Sequence, residues 1–207
     1  MKKIITMVMA MMMILGLTAC GNTVGNIDLE AGQSAIYIQD DGVVSYAVAE
    51  KFEKDYYDED QLEENIEKEI EAYNSSGQAS VSDAITLNGF HVSGSVATLV
   101  LDFSTDYDLL NYVKQYNNIS PKKFYIGSIA GNKKCKIKGN FVSADKKTTK
   151  KGKDIKQMDD NILIVNEAYK VEVQGTILYV SENCSIDGDG IVTTAKEEDG
   201  TSYIVYK

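Results

Sequence analysis

The chain has 207 residues, enough for one sizeable domain or for two small ones that share a core. It carries 31 acidic residues against 21 lysines and no arginine, which gives a formal charge of −10 at pH 7. An acidic chain without the planar guanidinium fork is a poor candidate for binding nucleic acid, so we exclude that class.

The N-terminal segment predicts an export signal. Two lysines precede an apolar run over residues 4–17, and the run ends in Leu17-Thr18-Ala19-Cys20. A helix of that length reaches only about 21 Å, short of the roughly 30 Å of a hydrocarbon core, so we do not expect it to remain as a membrane span. The tetrapeptide resembles the lipobox of bacterial lipoproteins. This resemblance implies that residues 1–19 are removed as a signal peptide and that the thiol of Cys20 carries the lipid.

The next segments predict a tether and a first hairpin. Residues 20–33 are small and polar, which is typical of a flexible linker, so the fold is expected to begin near Ser34. Residues 35–49 predict a β-hairpin around Asp41-Gly42, a dipeptide that accepts the positive φ of a tight turn. A two-residue loop there would pair Tyr37 with Tyr46.

A helix with complete start signals follows. Asp58 is the expected N-cap, Gln61 stands at the capping-box position, and Tyr57 is placed to pack on the first apolar residue of the helix. A narrow apolar stripe on an otherwise charged helix predicts that one face lies on a sheet; the stripe consists of Leu62, Ile66, Ile70 and Tyr73.

A second hairpin and a second helix complete this part. A three-residue loop over 93–95 would gather the apolar side chains on one face, with the pairs Ile85–Phe103, Leu87–Leu101, Gly89–Leu99 and His91–Ala97. Ser104 or Thr105 is expected to cap the second helix, whose apolar residues are Leu109, Leu110, Val113 and Tyr116. Pro121 ends the unit, and residues 124–130 predict a strand.

The composition changes after residue 131. Residues 133–156 hold ten lysines against Asp145 and Asp154, which predicts a long exposed loop. Strand patterns return over 162–165, 171–173, 177–180, 191–194 and 203–206. The expected class is α+β, with an antiparallel β-sheet carrying two helices on one face, followed by a β-rich C-terminal part that either extends that sheet or forms a small second one. We therefore divide the body into an α+β domain over 34–131 and a lysine-rich loop with β-rich strands over 132–207, which can share one core.

Two C-terminal tracts carry a second resemblance. Ile177-Leu178-Tyr179-Val180-Ser181 and the ending Tyr-Ile-Val-Tyr-Lys are similar to tracts of small uncharacterised lipoproteins of low-GC Gram-positive bacteria. The resemblance implies a cell-envelope location at the outer face of the cytoplasmic membrane, and it implies no activity.

The residues that could support catalysis or metal binding are few. His91 is the only histidine, and beside a hairpin tip a structural or half-exposed role is favoured over a general base paired with a carboxylate. Residues 187–190, Asp-Gly-Asp-Gly, predict a turn, because an EF-hand would need an oxygen ligand at Ile191 and glycine at Val192. Ser143-Ala144-Asp145-Lys146 fits the Ser-x-x-Lys pattern without its companion motifs. We predict no metal and no cofactor.

The sequence leaves open whether the two remaining cysteines form a disulfide. Export permits a disulfide between Cys135 and Cys184, but two cysteines define no disulfide framework, so idle or buried thiols are the favoured reading.

The charge is distributed unevenly. Residues 50–73 carry a net charge of −8, and residues 133–156 carry +8. An anchored protein gains from presenting lysines to anionic headgroups or wall polymers, and the candidate contacts are Lys146, Lys147, Lys150 and Lys151. The alternative, which we favour, is that this lysine-rich segment is simply a solvated loop.

These observations favour a non-enzymatic, lipid-anchored envelope protein that acts as a binding or interaction module. The expected partners are the membrane, through the lipid on Cys20, and anionic envelope polymers or another envelope protein. The alternative is a small wall-associated hydrolase or accessory enzyme that uses His91 and a carboxylate. A two-lobed solute receptor would need more chain.

Overall fold

The computed structural model describes residues 23–54, 58–116, 121–133 and 135–207. In chain order its elements are β1 (Thr23–Val24), β2 (Ile27–Asp28), β3 (Gln33–Ile38), β4 (Val44–Lys51), α1 (Glu59–Asn74), β5 (Ile85–Ser93), β6 (Val96–Phe103), α2 (Asp106–Tyr116), β7 (Phe124–Ser128), β8 (Asn140–Ser143), β9 (Thr149–Lys151), α3 (Gly152–Ile155), β10 (Asn161–Val165), β11 (Lys170–Val173), β12 (Ile177–Ser181), β13 (Ser185–Ile186), β14 (Val192–Thr193), a 3₁₀ helix (Glu197–Asp199) and β15 (Ser202–Tyr206).

Two large sheets form the body. One has seven strands in the order β13-β14-β11-β3-β4-β6-β5, and the other has six in the order β7-β10-β15-β12-β8-β9. Strands β3 and β11 run parallel, and the other paired strands are antiparallel. The α+β class is confirmed. The predicted antiparallel sheet with two helices on one face is wrong in detail, because there are two large sheets, one of them contains a parallel pair, and α2 contacts strands of both. The β-rich C-terminal part extends the sheet built by β3 to β6, through β11, β13 and β14, and also supplies most strands of the second sheet.

The main core lies between the two sheets and beneath α1 and α2. Ile36 and Leu101 enter it from the seven-stranded sheet, and Leu163 and Ile204 from the six-stranded sheet; none of the four is exposed to solvent. Helix α2 contacts β4, β6 and β7, so it bridges the sheets. Burying each such side chain stabilises the fold by about 1.5–3 kcal/mol. Residues on both sides of position 131 therefore share one core.

Helix α1 begins and packs as its sequence predicts. The Asp58 carboxylate accepts a hydrogen bond from the Gln61 backbone N–H at 2.9 Å, which confirms the N-cap. Most of the apolar stripe is buried, namely Ile66, Ile70 and Tyr73, while Leu62 is half-buried. The predicted packing of Tyr57 lies outside the described residues.

Helix α2 is capped by one of its two candidates. The Thr105 hydroxyl accepts a hydrogen bond from the Asp108 backbone N–H at 3.1 Å, so Thr105 and not Ser104 stands at the N-cap. Leu109 and Val113 are buried as predicted.

The predicted register of the first hairpin is wrong by one residue. Ile36 lies opposite Tyr46, and Tyr37 lies opposite Ser45. The turn has five residues, closed by a 2.9 Å hydrogen bond from the Gln39 N–H to the Val43 carbonyl. The longer turn puts Ile36 and Tyr46 on the face that meets the main core, which a two-residue loop would not do.

The second hairpin follows its predicted register for only half its length. The pairs Ile85–Phe103 and Leu87–Leu101 are confirmed. The register then shifts between Leu87 and Gly89, so His91 lies opposite Thr98 and the loop shortens to two residues. A bulge inserts one extra residue in one strand, and this insertion converts the predicted three-residue loop into a two-residue loop.

The tether predicted over residues 20–33 is wrong for residues 23–33. Strands β1 and β2 form a small hairpin whose Val24 and Ile27, with Leu29 just after it, are buried against the outer face of the seven-stranded sheet. The Asn26 backbone N–H and side-chain amide donate to the Glu172 carboxylate at 2.7 and 2.6 Å. A few apolar residues in a polar segment are enough to cover a sheet whose outer face is lined by small alanines. Residues 20–22 lie outside the described residues.

The lysine-rich segment is also more ordered than the predicted exposed loop. It forms β8, β9 and α3, and its few large apolar residues, Ile137, Phe141 and Ile155, are buried against the second face of the six-stranded sheet. The hydroxyl of Tyr203 on β15 donates to the Lys136 carbonyl at 2.8 Å. Sparse apolar residues among lysines thus anchor the segment while the lysines remain at the surface.

Candidate functional site

Cys20, the predicted lipidation residue, lies outside the described residues. The described chain starts three residues later, in the packed β1–β2 hairpin. None of the helices in the described ranges is long and apolar enough to cross a membrane.

The four candidate lysines all lie on the β8–β9 hairpin, at one edge of the six-stranded sheet. Strand β9 is the edge strand, and β8 joins it to β12. Lys146, Lys147 and Lys151 are exposed, and Lys150 is half-buried. We call the surface formed by these four residues the lysine edge. The structure therefore brings the four predicted residues together on one hairpin.

The turn of this hairpin is held by Ser143 and Asp145. The Ser143 hydroxyl donates to the Asp145 carboxylate at 2.6 Å and accepts from the Thr148 N–H at 3.0 Å. The hydrogen bond from Ser143, with that from the Lys147 N–H, lowers the pKa of the Asp145 carboxyl below its ordinary value. Lys146 occupies the left-handed region at φ 59°. The Ser143 hydroxyl therefore stabilises the turn, and the residues that fit the Ser-x-x-Lys pattern, 143–146, form part of this turn.

Two of the four lysines have partners within the described chain. The Lys147 ammonium lies 3.3 Å from the Asp145 carboxylate, in an exposed pair of small energetic weight. The Lys150 ammonium lies 5.3 Å from the centre of the Tyr179 ring, a cation–π geometry that fixes the side chain across β8. Sequence reasoning missed Tyr179, because it belongs to β12 and only the strand order brings it to Lys150.

The acidic helix packs on the other large sheet. Helix α1 packs on β5, one edge strand of the seven-stranded sheet. The opposite edge strand, β13, directly follows β12, and β12 carries β8 and β9. The exposed acids of α1 are Glu59, Asp60, Glu64, Glu67 and Glu71. The two charge clusters seen in the sequence therefore belong to edges of different sheets, the acidic helix to the seven-stranded sheet and the lysine edge to the six-stranded sheet.

His91 lies exposed on the edge strand β5. The described part of the chain places no carboxylate in hydrogen-bond contact with it. An exposed position on an edge strand is typical of a structural surface residue.

The Asp-Gly-Asp-Gly tract is the turn between β13 and β14. The Asp187 carboxylate accepts hydrogen bonds from the Asp189 and Ile191 N–H groups at 3.0 and 2.9 Å, so it is used to close the turn. In the described ranges no group of acidic, histidine or cysteine side chains is arranged to hold a metal ion.

Cys135 and Cys184, each half-buried, are not joined by a disulfide. Cys135 packs beside Ile137 in the core on one face of the six-stranded sheet, whereas Cys184 packs against the main core on the other. The sheet between them explains why the structure does not join them.

Comparisons of the chain with protein-family models, with curated proteins and with solved structures found no match.

Proposed function

We propose that this protein is a non-enzymatic lipoprotein of the cell envelope, anchored through lipid on Cys20, and that its lysine edge contacts anionic headgroups or anionic wall polymer. The observation that carries the proposal is the gathering of Lys146, Lys147, Lys150 and Lys151 on one ordered hairpin at an edge of the six-stranded sheet, whereas the acidic helix packs on an edge strand of the seven-stranded sheet. Each lysine near an anionic membrane surface contributes about 1 kcal/mol, less as salt increases.

Because the β1–β2 hairpin is packed on the body of the protein, lipid on Cys20 would hold that body close to the membrane. Three residue steps separate Cys20 from Thr23, and an extended chain spans at most about 3.6 Å per residue, so the link reaches roughly 10 Å. A body on so short a link remains at the headgroup surface. Weak electrostatic contacts of the lysine edge then act at high effective concentration.

The test uses the 23–207 chain, which contains every described element and carries no lipid. It should sediment with vesicles of anionic phospholipid, or with teichoic acid, at 0.01 M salt, where the Debye length is about 30 Å, and detach at 0.15 M, where it is about 8 Å. Changing the four lysines of the lysine edge to glutamine should weaken low-salt binding roughly tenfold or more, with an unchanged melting temperature.

A matched control changes four lysines outside that edge: Lys51, Lys54, Lys68 and Lys114. The net charge falls by the same amount, so a response equal to that of the lysine-edge variant would mean that only total charge matters. That result, or an absence of low-salt binding by the parent, would contradict the proposed contact.

A further inference from the structure

The two large sheets end in four edge strands, and three of these are very short or are met by carboxylates. In the six-stranded sheet the Asp106 carboxylate accepts from the Ile126 N–H of β7 at 3.0 Å, and the Asp154 carboxylate accepts from the Lys151 N–H of β9 at 3.1 Å. In the seven-stranded sheet β13 has two residues. The fourth edge strand, β5, has nine residues. An edge of that length presents backbone N–H and C=O groups with which another chain can pair.

The side chain of Asn74, the last residue of α1, already pairs with the start of this edge. Its amide donates to the Ile85 carbonyl at 2.8 Å and accepts from the Ile85 N–H at 2.9 Å, as a neighbouring strand would. Because the backbone groups of alternate residues point to the same edge of a strand, those of Leu87 point outward as well. A bulge follows Leu87, but β5 continues its pairing with β6 as far as Ser93. Within the described ranges, no strand pairs with the outer edge of β5.

Two carboxylates of α1 are placed along the same edge. Glu67 and Glu63 stand about two and three helical turns before Asn74, so they share the face of α1 that reaches β5. Glu67 and Asn74 also line one cleft of about 540 Å³, which opens between the end of α1 and the start of β5. Lys68, the single basic residue of α1, pairs with Glu64 at 2.7 Å. Glu63 and Glu67 therefore have no ion pair within the described chain.

The spacing of these carboxylates matches that of side chains on an added strand. Four residues of a helix advance about 6 Å, and two residues of a strand advance about 6.8 Å. Every second side chain of a strand paired with β5 would face α1, so consecutive ones could reach Glu63 and Glu67. Carboxylates in these positions attract lysine or arginine. They disfavour a second copy of this chain, because pairing two β5 strands about a two-fold axis would bring two acidic helices together.

We propose that the open edge of β5 binds an extended polypeptide segment as an added strand, with lysine or arginine at alternate positions facing Glu63 and Glu67. Backbone hydrogen bonds supply the affinity, and the two carboxylates select the basic sequence. The edge belongs to the seven-stranded sheet, so the proposal needs neither the lysine edge nor lipid on Cys20. Its failure would leave the proposed membrane contact untouched, and the reverse also holds.

The probe is a fluorescein-labelled octapeptide of alternating lysine and threonine, titrated with the full chain in a non-ionic polyoxyethylene detergent at pH 7 and followed by fluorescence anisotropy. Its control has the same composition as a block of lysines followed by a block of threonines, which keeps the charge and removes the alternation. The alternating peptide should bind saturably, and about threefold or more tightly than the block peptide. Equal affinity for the two peptides, or no saturable binding, would overturn the proposal.

Backbone pairing is tested with two N-methylated forms of the alternating peptide. One is methylated at the lysine nitrogens and the other at the threonine nitrogens, and both keep the charge. A strand that pairs through one edge uses the N–H groups of alternate residues, so one form should bind roughly tenfold more weakly than the other. Equal affinity of the two methylated forms would refute strand addition.

Two double substitutions locate the site. Glu63→Gln with Glu67→Gln should weaken binding of the alternating peptide roughly three- to tenfold, the range expected for two surface ion pairs. The matched control, Asp189→Asn with Glu198→Gln, removes the same charge at exposed positions outside α1 and β5. Binding that responds alike to both double variants would refute the assignment. A dimer of the parent chain that the peptide disperses in analytical ultracentrifugation would assign the edge to a second copy and overturn the proposal.

Discussion

Asp108 is fully buried at the start of α2, and its carboxylate is surrounded by hydrogen-bond donors from three segments of the chain. One oxygen accepts from the Tyr73 hydroxyl of α1 at 3.1 Å and from the Ser80 N–H at 3.0 Å. The other accepts from the hydroxyls of Ser80 and Thr105. This carboxylate therefore ties α1, the segment that follows it and α2 together.

Replacing Asp108 with alanine should destabilise the fold by about 3–5 kcal/mol. The Tyr73 hydroxyl would lose its acceptor while buried, at about 1–3 kcal/mol for an unsatisfied group, and the N–H of the exposed Ser80 would lose a hydrogen bond to a charged group, which contributes about 1.5–3 kcal/mol. The hydroxyls of Ser80 and Thr105 can rotate to other partners, so they add less.

Asparagine at the same position separates hydrogen bonding from charge. Its amide oxygen can accept from Tyr73 and the Ser80 N–H, and its NH₂ can donate to the oxygens of the two hydroxyls. We expect Asp108→Asn to lie within about 1 kcal/mol of the parent, because all four contacts persist and a buried charge is removed.

The assay is urea denaturation of the 23–207 chain, with the unfolding free energies of the parent and both variants compared at one temperature. A loss below about 1 kcal/mol for Asp108→Ala would refute the bridging role. An equal loss for both variants would show that the negative charge matters and that the hydrogen-bond geometry does not.

Two further predictions concern stability. Ile27→Ala should lower the free energy of unfolding by about 2–5 kcal/mol, because Ile27 is fully buried in the hairpin against the seven-stranded sheet. The control Val81→Ala, at a 53% exposed position, should lower it little. Equal effects of the two substitutions would mean that residues 23–33 are a flexible tether after all. Burial, together with the Asp108 carboxylate, raises the pKa of Tyr73 to about 12 from 10.0, so folding favours the neutral phenol. This stabilisation is complete below pH 10 and is lost as pH rises through about 12, so the buried tyrosines should ionise only as the chain unfolds across that interval; ionisation of every tyrosine in a chain that remains folded would contradict it.

Elements with strong local signals could be predicted from the sequence. The N-cap Asp58 and the stripe of α1 depend on contacts three or four residues apart, and such contacts are fixed by helix geometry alone. The strands at 162–165 and 203–206 were found for a similar reason, since continuous apolar runs are typical of strands buried on both faces.

The features that were wrong depend on pairings distant in sequence. The bulge between Leu87 and Gly89 shifts every later pair of the hairpin, and its one local signal, a glycine inside a strand pattern, does not say how far the register moves. The parallel pairing of β3 with β11 joins segments about 135 residues apart, a distance over which local patterns carry no information.

The candidate site was likewise predictable only where local sequence determines it. Composition alone identified the lysine-rich segment, but its short strands and the buried Ile137, Phe141 and Ile155 were hidden by the surrounding lysines.

The central claim, that lipid on Cys20 holds this protein at the membrane, is tested most directly by metabolic labelling with palmitate. The parent chain should take up label and remain with the membrane fraction. Cys20→Ala should take up none and should accumulate as uncleaved precursor, because the thiol is the acylated atom. Label retained by the Cys20→Ala chain, or a parent that carries no label, would contradict the account.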